Sequence, residues 1–127
     1  MFQLSKKSRG RLEGIDERLI EIIDLALTTS KVDFGIPEYG GLRTATEQYG
    51  LFQTGRSKKD GQEKKSYHQT GRAFDIYAYV DGKASWEEAH LSMVAAAILQ
   101  AASTLGYKLK WGGLWKWTDM PHFQLGR

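Results

Sequence analysis

The strongest constraint on this chain is a set of metal-ligand residues written in two halves. Ser66-Tyr67-His68-Gln69-Thr70-Gly71-Arg72-Ala73-Phe74-Asp75 supplies one imidazole and one carboxylate, and Asp119-Met120-Pro121-His122, far along the chain, supplies another of each. His68 and Asp75 straddle Gly71, whose backbone freedom lets the chain turn back and aim both side chains at one point. Two imidazoles and one carboxylate are a set that zinc accepts. Three protein ligands also leave its fourth position free for water, which implies catalysis. The reading takes His68, Asp75 and His122 as ligands. Asp119, three residues before His122, can stand beside the metal without binding it and take a proton from that water. His90 has no acidic partner from the motif and reads as structural or solvent-facing.

The chain has no cysteine, which excludes disulfides, thiolate metal sites and cysteine nucleophiles, so nitrogen and oxygen must hold any metal. A length of 127 residues with 41% hydrophobic content predicts one domain, residues 1–127, around one core. The formal charge is only +3, although an isoelectric point of about 9.1 leans toward anionic partners. Nucleic-acid binding through Arg56-Ser57-Lys58-Lys59 and Lys64-Lys65 would rest on charge alone, and the small net charge weighs against it. No apolar run of signal-peptide length follows Met1-Phe2-Gln3-Leu4-Ser5-Lys6-Lys7, and no stretch approaches the roughly 20 apolar residues of a membrane span. The expectation is a chain made in the cytoplasm, without membrane insertion.

Apolar residues at three- and four-residue spacing from Leu12 to Leu27 predict an amphipathic helix. Val32 to Ile36 alternates as a strand before Pro37, and a short strand is expected to run into Gly40-Gly41-Leu42-Arg43. Thr44 and Glu47 form a capping box for a helix to Phe52, while Gly55 to Lys65 reads as an exposed loop. Phe74, Ile76 and Tyr79 mark a strand ended by an Asp81-Gly82 turn. Ser85 and Glu88 suggest a second capping box, opening a helix from Trp86 to Leu105 that Gly106 ends. Tyr107 to Trp111 and His122 to Leu125 complete the strands. This mixed order predicts an α+β domain, a small, mostly antiparallel sheet with helices on one side.

The two motif halves, with the small Ala73 two residues before Asp75, resemble the zinc peptidases that include D-Ala-D-Ala carboxypeptidases and dipeptidases, the hedgehog signalling domain and phage L-alanyl-D-glutamate endopeptidases. Phe2-Gln3-Leu4-Ser5-Lys6-Lys7-Ser8, Gly41-Leu42-Arg43-Thr44 leading to Glu47-Gln48, Gly55-Arg56-Ser57-Lys58 and Trp111-Gly112-Gly113 match the phage enzymes in order. The resemblance thus runs over nearly the whole chain. It implies a hedgehog-like fold, zinc on His68, Asp75 and His122, and Asp119 as the catalytic acid. It further implies that Arg43 steadies the substrate carbonyl oxygen and that Gln48 and Ser66 are substrate-side hydrogen-bonding positions. Leu114 departs from the pattern, because the family often has an acidic residue after Trp-Gly-Gly.

The expected function is that of a zinc-dependent peptidoglycan endopeptidase, a monomeric endolysin cutting between L-Ala and D-Glu of the stem peptide. Reaching the wall would need a separate membrane-passage factor such as a holin. Two rivals share the zinc site: a D,D-carboxypeptidase or dipeptidase, and a binding module that keeps its zinc without hydrolysis. Asp119 weighs against the second.

Overall fold

In a computed structural model, which describes residues 1–126, Asp16 rather than Leu12 starts the first long helix. Its carboxylate accepts the Arg18 N–H at 2.9 Å and caps α2 (Glu17–Thr29). Gly14, at φ 81°, bends the chain just before it. Leu12 and Ile15 are still buried, so the sequence period marks residues that face the core although the first of them are not helical. Upstream lies a one-turn helix that the sequence pattern did not suggest, α1 (Lys6–Gly10). The hydroxyl of its buried Ser8 accepts the Ile36 N–H at 2.9 Å and ties the N-terminal segment to the end of β1 (Asp33–Gly35).

The expected helix after Arg43 is α3 (Ala45–Gln53), closed by the Thr44–Glu47 capping box. The strand expected through Gly40 to Arg43 does not form. That segment is a bend in which Tyr39 has φ 62° and the Gly40 N–H bonds the Pro37 carbonyl. The strand expected across Phe74 to Tyr79 is two strands in different sheets, β2 (Ala73–Asp75) and β3 (Tyr77–Val80), with the chain crossing at buried Ile76. Asp81 and Gly82 both have positive φ, the backbone of a tight hairpin turn, and lead into β4 (Lys83–Ser85).

That hairpin removes the second capping box. Ser85 pairs with Ala78 in the sheet, so α4 runs from Glu88 to Leu105, with Glu87 as an N-cap that makes no side-chain bond. Gly106, at φ 78°, ends it as expected. β5 (Leu109–Trp111) and β6 (His122–Leu125) follow.

All pairings are antiparallel, as expected, but the strands divide into two three-stranded sheets, ordered β1-β3-β4 and β2-β6-β5. α2 packs on α4, and α4 lies against both β3 and β5. Ile22, Ile23, Val94, Ile98, Phe74 and Phe123 are among the fully buried members of one core cluster. Phe74 stacks on Phe123 with centroids 5.2 Å apart, which contributes about 0.5–1.5 kcal/mol beyond area burial. Among the described residues, no helix is long and apolar enough to cross a membrane.

Candidate metal centre

Asp75 and His122 are cross-strand partners on β2 and β6, which brings the two halves of the sequence motif side by side. His68 arrives from a 3-10 turn, Tyr67–Thr70, just before β2. Ser66 caps that turn, its hydroxyl accepting the His68 N–H at 3.2 Å, while Gln69 reaches back to the Ser66 N–H. Gly71 closes the turn at φ 71°. A side chain there would stand 2.5 Å from the Gly14 carbonyl oxygen, so both the conformation and the packing require glycine.

The three ligand atoms form a nearly equilateral triangle. His68 Nε2 lies 3.2 Å from His122 Nδ1 and 3.3 Å from Asp75 Oδ1, and His122 Nδ1 lies 3.1 Å from the same oxygen. Ligands about 2.0–2.2 Å from a tetrahedral ion are separated by roughly 3.3–3.6 Å, so this triangle is close to one face of such a tetrahedron. The outer contacts fix which nitrogen is free. His68 Nδ1–H donates to the Gly41 carbonyl at 3.0 Å, and His122 Nε2–H donates to Gln124 Oε1 at 2.8 Å. In their neutral forms, imidazoles held this way would aim lone pairs at each other and at a carboxylate. Two buried imidazole nitrogens and one half-buried carboxylate oxygen facing one point suit a cation.

Asp75 uses its second oxygen to accept the Arg43 Nη2–H at 3.0 Å. Burial works against its ionisation, but the adjacent imidazoles outweigh it and hold the carboxyl well below the usual range. For His122, burial likewise opposes the charged form, and the hydrogen bond to Asp75 raises its pKa overall. These are properties of the metal-free site.

Asp119 lies outside the triangle. The residue as a whole is exposed, yet crowding around its carboxyl group, followed by the negative charge of Asp75, raises its pKa. Its backbone is clamped, the N–H donating to the Gly112 carbonyl at 2.9 Å and the carbonyl accepting the His122 N–H at 3.2 Å. Gly112 makes that approach possible, since a Cβ there would fall on the Asp119 carbonyl and stand 3.0 Å from the Asp119 Cβ.

Arg43 is half-buried, and burial pulls its pKa down against the pull of Asp75. Besides Asp75, its guanidinium donates to the Tyr39 carbonyl at 2.7 Å and to Gln48 Oε1 at 3.0 Å. Gln48 is fully buried beneath it. Ser66 is nearly buried in its capping role. Trp115 lies 5.3 Å from the His122 ring, Trp111 Nε1–H donates to the Met120 carbonyl at 2.7 Å, and exposed Trp117 carries Lys58 Nζ 2.9 Å above its ring. Leu114 is 77% exposed. His90 sits elsewhere, bonded to Ser85 at 2.7 Å.

Two participants were missed in the sequence. Gln124 could have been found, since residues two apart on a strand share a face and it follows His122 by two. Gly41 acts through its carbonyl, and no side chain announces that role.

A sequence profile of the family described as phage L-alanyl-D-glutamate peptidase matches residues 1–124. The chain is 32% identical to the L-alanyl-D-glutamate peptidase of Escherichia phage T5 over 99% of its own length and 90% of that protein. Its fold superposes on the crystal structure of the Serratia marcescens L-Ala D-Glu endopeptidase ChiX with a TM-score of 0.85 and 36% identity, covering 98% of this chain and 90% of that one. A match across nearly the whole chain, with the motif residues gathered at one point, makes this protein a member of the phage L-alanyl-D-glutamate peptidase family.

Proposed function

We propose that this protein is a zinc-dependent endopeptidase that hydrolyses the L-Ala–D-Glu bond of peptidoglycan stem peptides, acting as one catalytic domain of an endolysin in host lysis. The observation that carries the reading is the triangle of His68, Asp75 and His122, with both imidazole tautomers fixed, in a chain of this family. Those three residues would hold the ion. When bound, zinc supplies Lewis acidity toward the scissile carbonyl and makes water acidic enough to be used near neutral pH.

The remaining work falls to the chain's own groups. Asp119, whose pKa is raised by the burial of its carboxyl group, accepts a proton from the attacking water and returns it to the leaving amine of D-Glu. Arg43 commits three of its five N–H groups within the protein, leaving two for a carbonyl oxygen that gains negative charge. Its bond to Asp75 fixes that guanidinium relative to the ligand set. Trp115, Trp117 and the Lys58 segment form a rim suited to an anionic, partly apolar stem peptide.

Mass spectrometry of sacculi digested with the zinc-loaded protein tests this. New amino termini should be D-Glu, with L-Ala left on the muramyl sugar. Release of D-Ala alone, with cross-links intact, would assign a carboxypeptidase instead.

A further inference from the structure

Gln48 is fully buried, yet every polar atom of its side chain is engaged. Its Oε1 accepts the Arg43 Nη1–H at 3.0 Å, and its Nε2 donates to Ser57 Oγ and to the Lys59 carbonyl, both at 2.8 Å. The two ends of the amide face partners of opposite kind. A guanidinium can only donate and a backbone carbonyl can only accept, so one orientation alone satisfies both. Gly61 seals the other side. With φ 85°, a Cβ there would stand 3.1 Å from Gln48 Cβ and Cγ.

The amide thus joins two segments that are distant in sequence. On one side is the guanidinium that meets Asp75 Oδ2. On the other is the 57–59 segment, whose middle residue, Lys58, reaches across to Trp117, two residues before Asp119. Fully buried, Gln48 presents no atom at the surface to a substrate.

We propose that Gln48 is a positioning residue: it sets the rotation of the Arg43 guanidinium and, through the same amide, holds the Ser57–Lys59 segment that carries Lys58 to the Trp117 ring. The proposal rests on the reading of Arg43 as the group that meets the substrate carbonyl. It places Gln48 one step behind the substrate.

The test uses zinc-loaded full-length protein with three side chains at position 48. ¹⁵N NMR of the wild type should show separate Nη1 and Nη2 lines for Arg43, the mark of restrained rotation. Gln48→Met, of similar size but without polar atoms, should merge or broaden them. Gln48→Glu keeps an acceptor for Arg43 but offers no donor to Ser57 and Lys59. It should therefore keep the lines separate while shifting the amide signals of 57–59. On a soluble muramyl stem peptide, Gln48→Met should lower kcat on the order of ten- to a hundredfold, the scale of a misplaced catalytic group. Gln48→Glu should recover most of that kcat loss and show a raised KM. If Gln48→Met does not fold, Gln48→Asn, too short to reach Arg43 and Lys59 together, is read in the same way. Separate Arg43 lines and wild-type kcat in Gln48→Met, or equal losses in the Met and Glu variants, would overturn the proposal. If the wild type cuts no stem peptide, the functional reading fails, while the nitrogen spectra still decide the role of Gln48.

Discussion

Asp75 divides its carboxylate between two tasks, one oxygen facing His122 Nδ1 at 3.1 Å and the other receiving Arg43 Nη2 at 3.0 Å. The candidate metal cluster and the Arg43 guanidinium are therefore joined through one side chain. Asp75→Asn should empty the metal site and also free Arg43, so metal content by mass spectrometry and hydrolysis should both be lost. His122→Ala should lose the metal as well. Chelation of the wild type should abolish hydrolysis and added zinc should restore it; full activity after verified metal removal would exclude a metallopeptidase.

Asp119 stands apart from the triangle, so the role proposed for it predicts that metal binding and turnover can be separated there. Asp119→Ala should keep near-stoichiometric zinc and a native melting curve while kcat falls by a factor on the order of 10² or more, the scale of a lost general base. Loss of zinc in this variant would instead make Asp119 a ligand.

Acidity should act on the metal-free protein from two directions. His122 has a raised folded-state pKa, so its stabilising contribution is fully present below about 6.5, the unfolded value, and is lost as pH rises through the folded one. Asp75 has a depressed pKa, so its contribution is present above about 3.9 and is lost as pH falls through the lower folded value. Chelated protein should therefore melt highest between about pH 4 and 6.5. Zinc must displace the His122 proton, so its affinity should fall on acidification. Chelated melts that climb steadily from pH 6 to 9 would contradict the assignment for His122.

Two glycines should respond in opposite ways to the same methyl group. Gly112→Ala drives a Cβ onto the Asp119 carbonyl and should destabilise by about 1–3 kcal/mol, with a fall in kcat as Asp119 shifts. Gly50 lies inside α3 with open space around it, so Gly50→Ala should stabilise by about 0.5–1 kcal/mol and leave kinetics alone. Denaturant melts and steady-state rates on the pair check both.

The gathering of His68, Asp75 and His122 was legible because their residue types are rare and their spacing is informative, and α3 was legible because Thr44 and Glu47 cap it locally. What escaped was decided by distant partners. Ser85 and Glu88 have the composition of a capping box, yet the Asp81-Gly82 turn folds Ser85 into a strand beside Ala78 and the backbone ladder takes precedence. Ile76 reads as one strand with Phe74, but the Asp75 N–H bonds the Gly40 carbonyl and the Ile76 N–H bonds the Pro121 carbonyl, partners that only the folded chain brings near. The environment of Gln48 was likewise out of reach, because its three partners lie on two other segments.

β6 lies between β2 and β5 although it follows both in sequence. Among the described residues neither outer strand pairs with any other, so both depend on His122 to Leu125 for their ladder. The same pairing that closes the sheet sets His122 opposite Asp75. The His68–Asp75–His122 cluster is therefore complete only where the centre strand of that sheet is in place, so whatever loosens β6 dismantles sheet and cluster together.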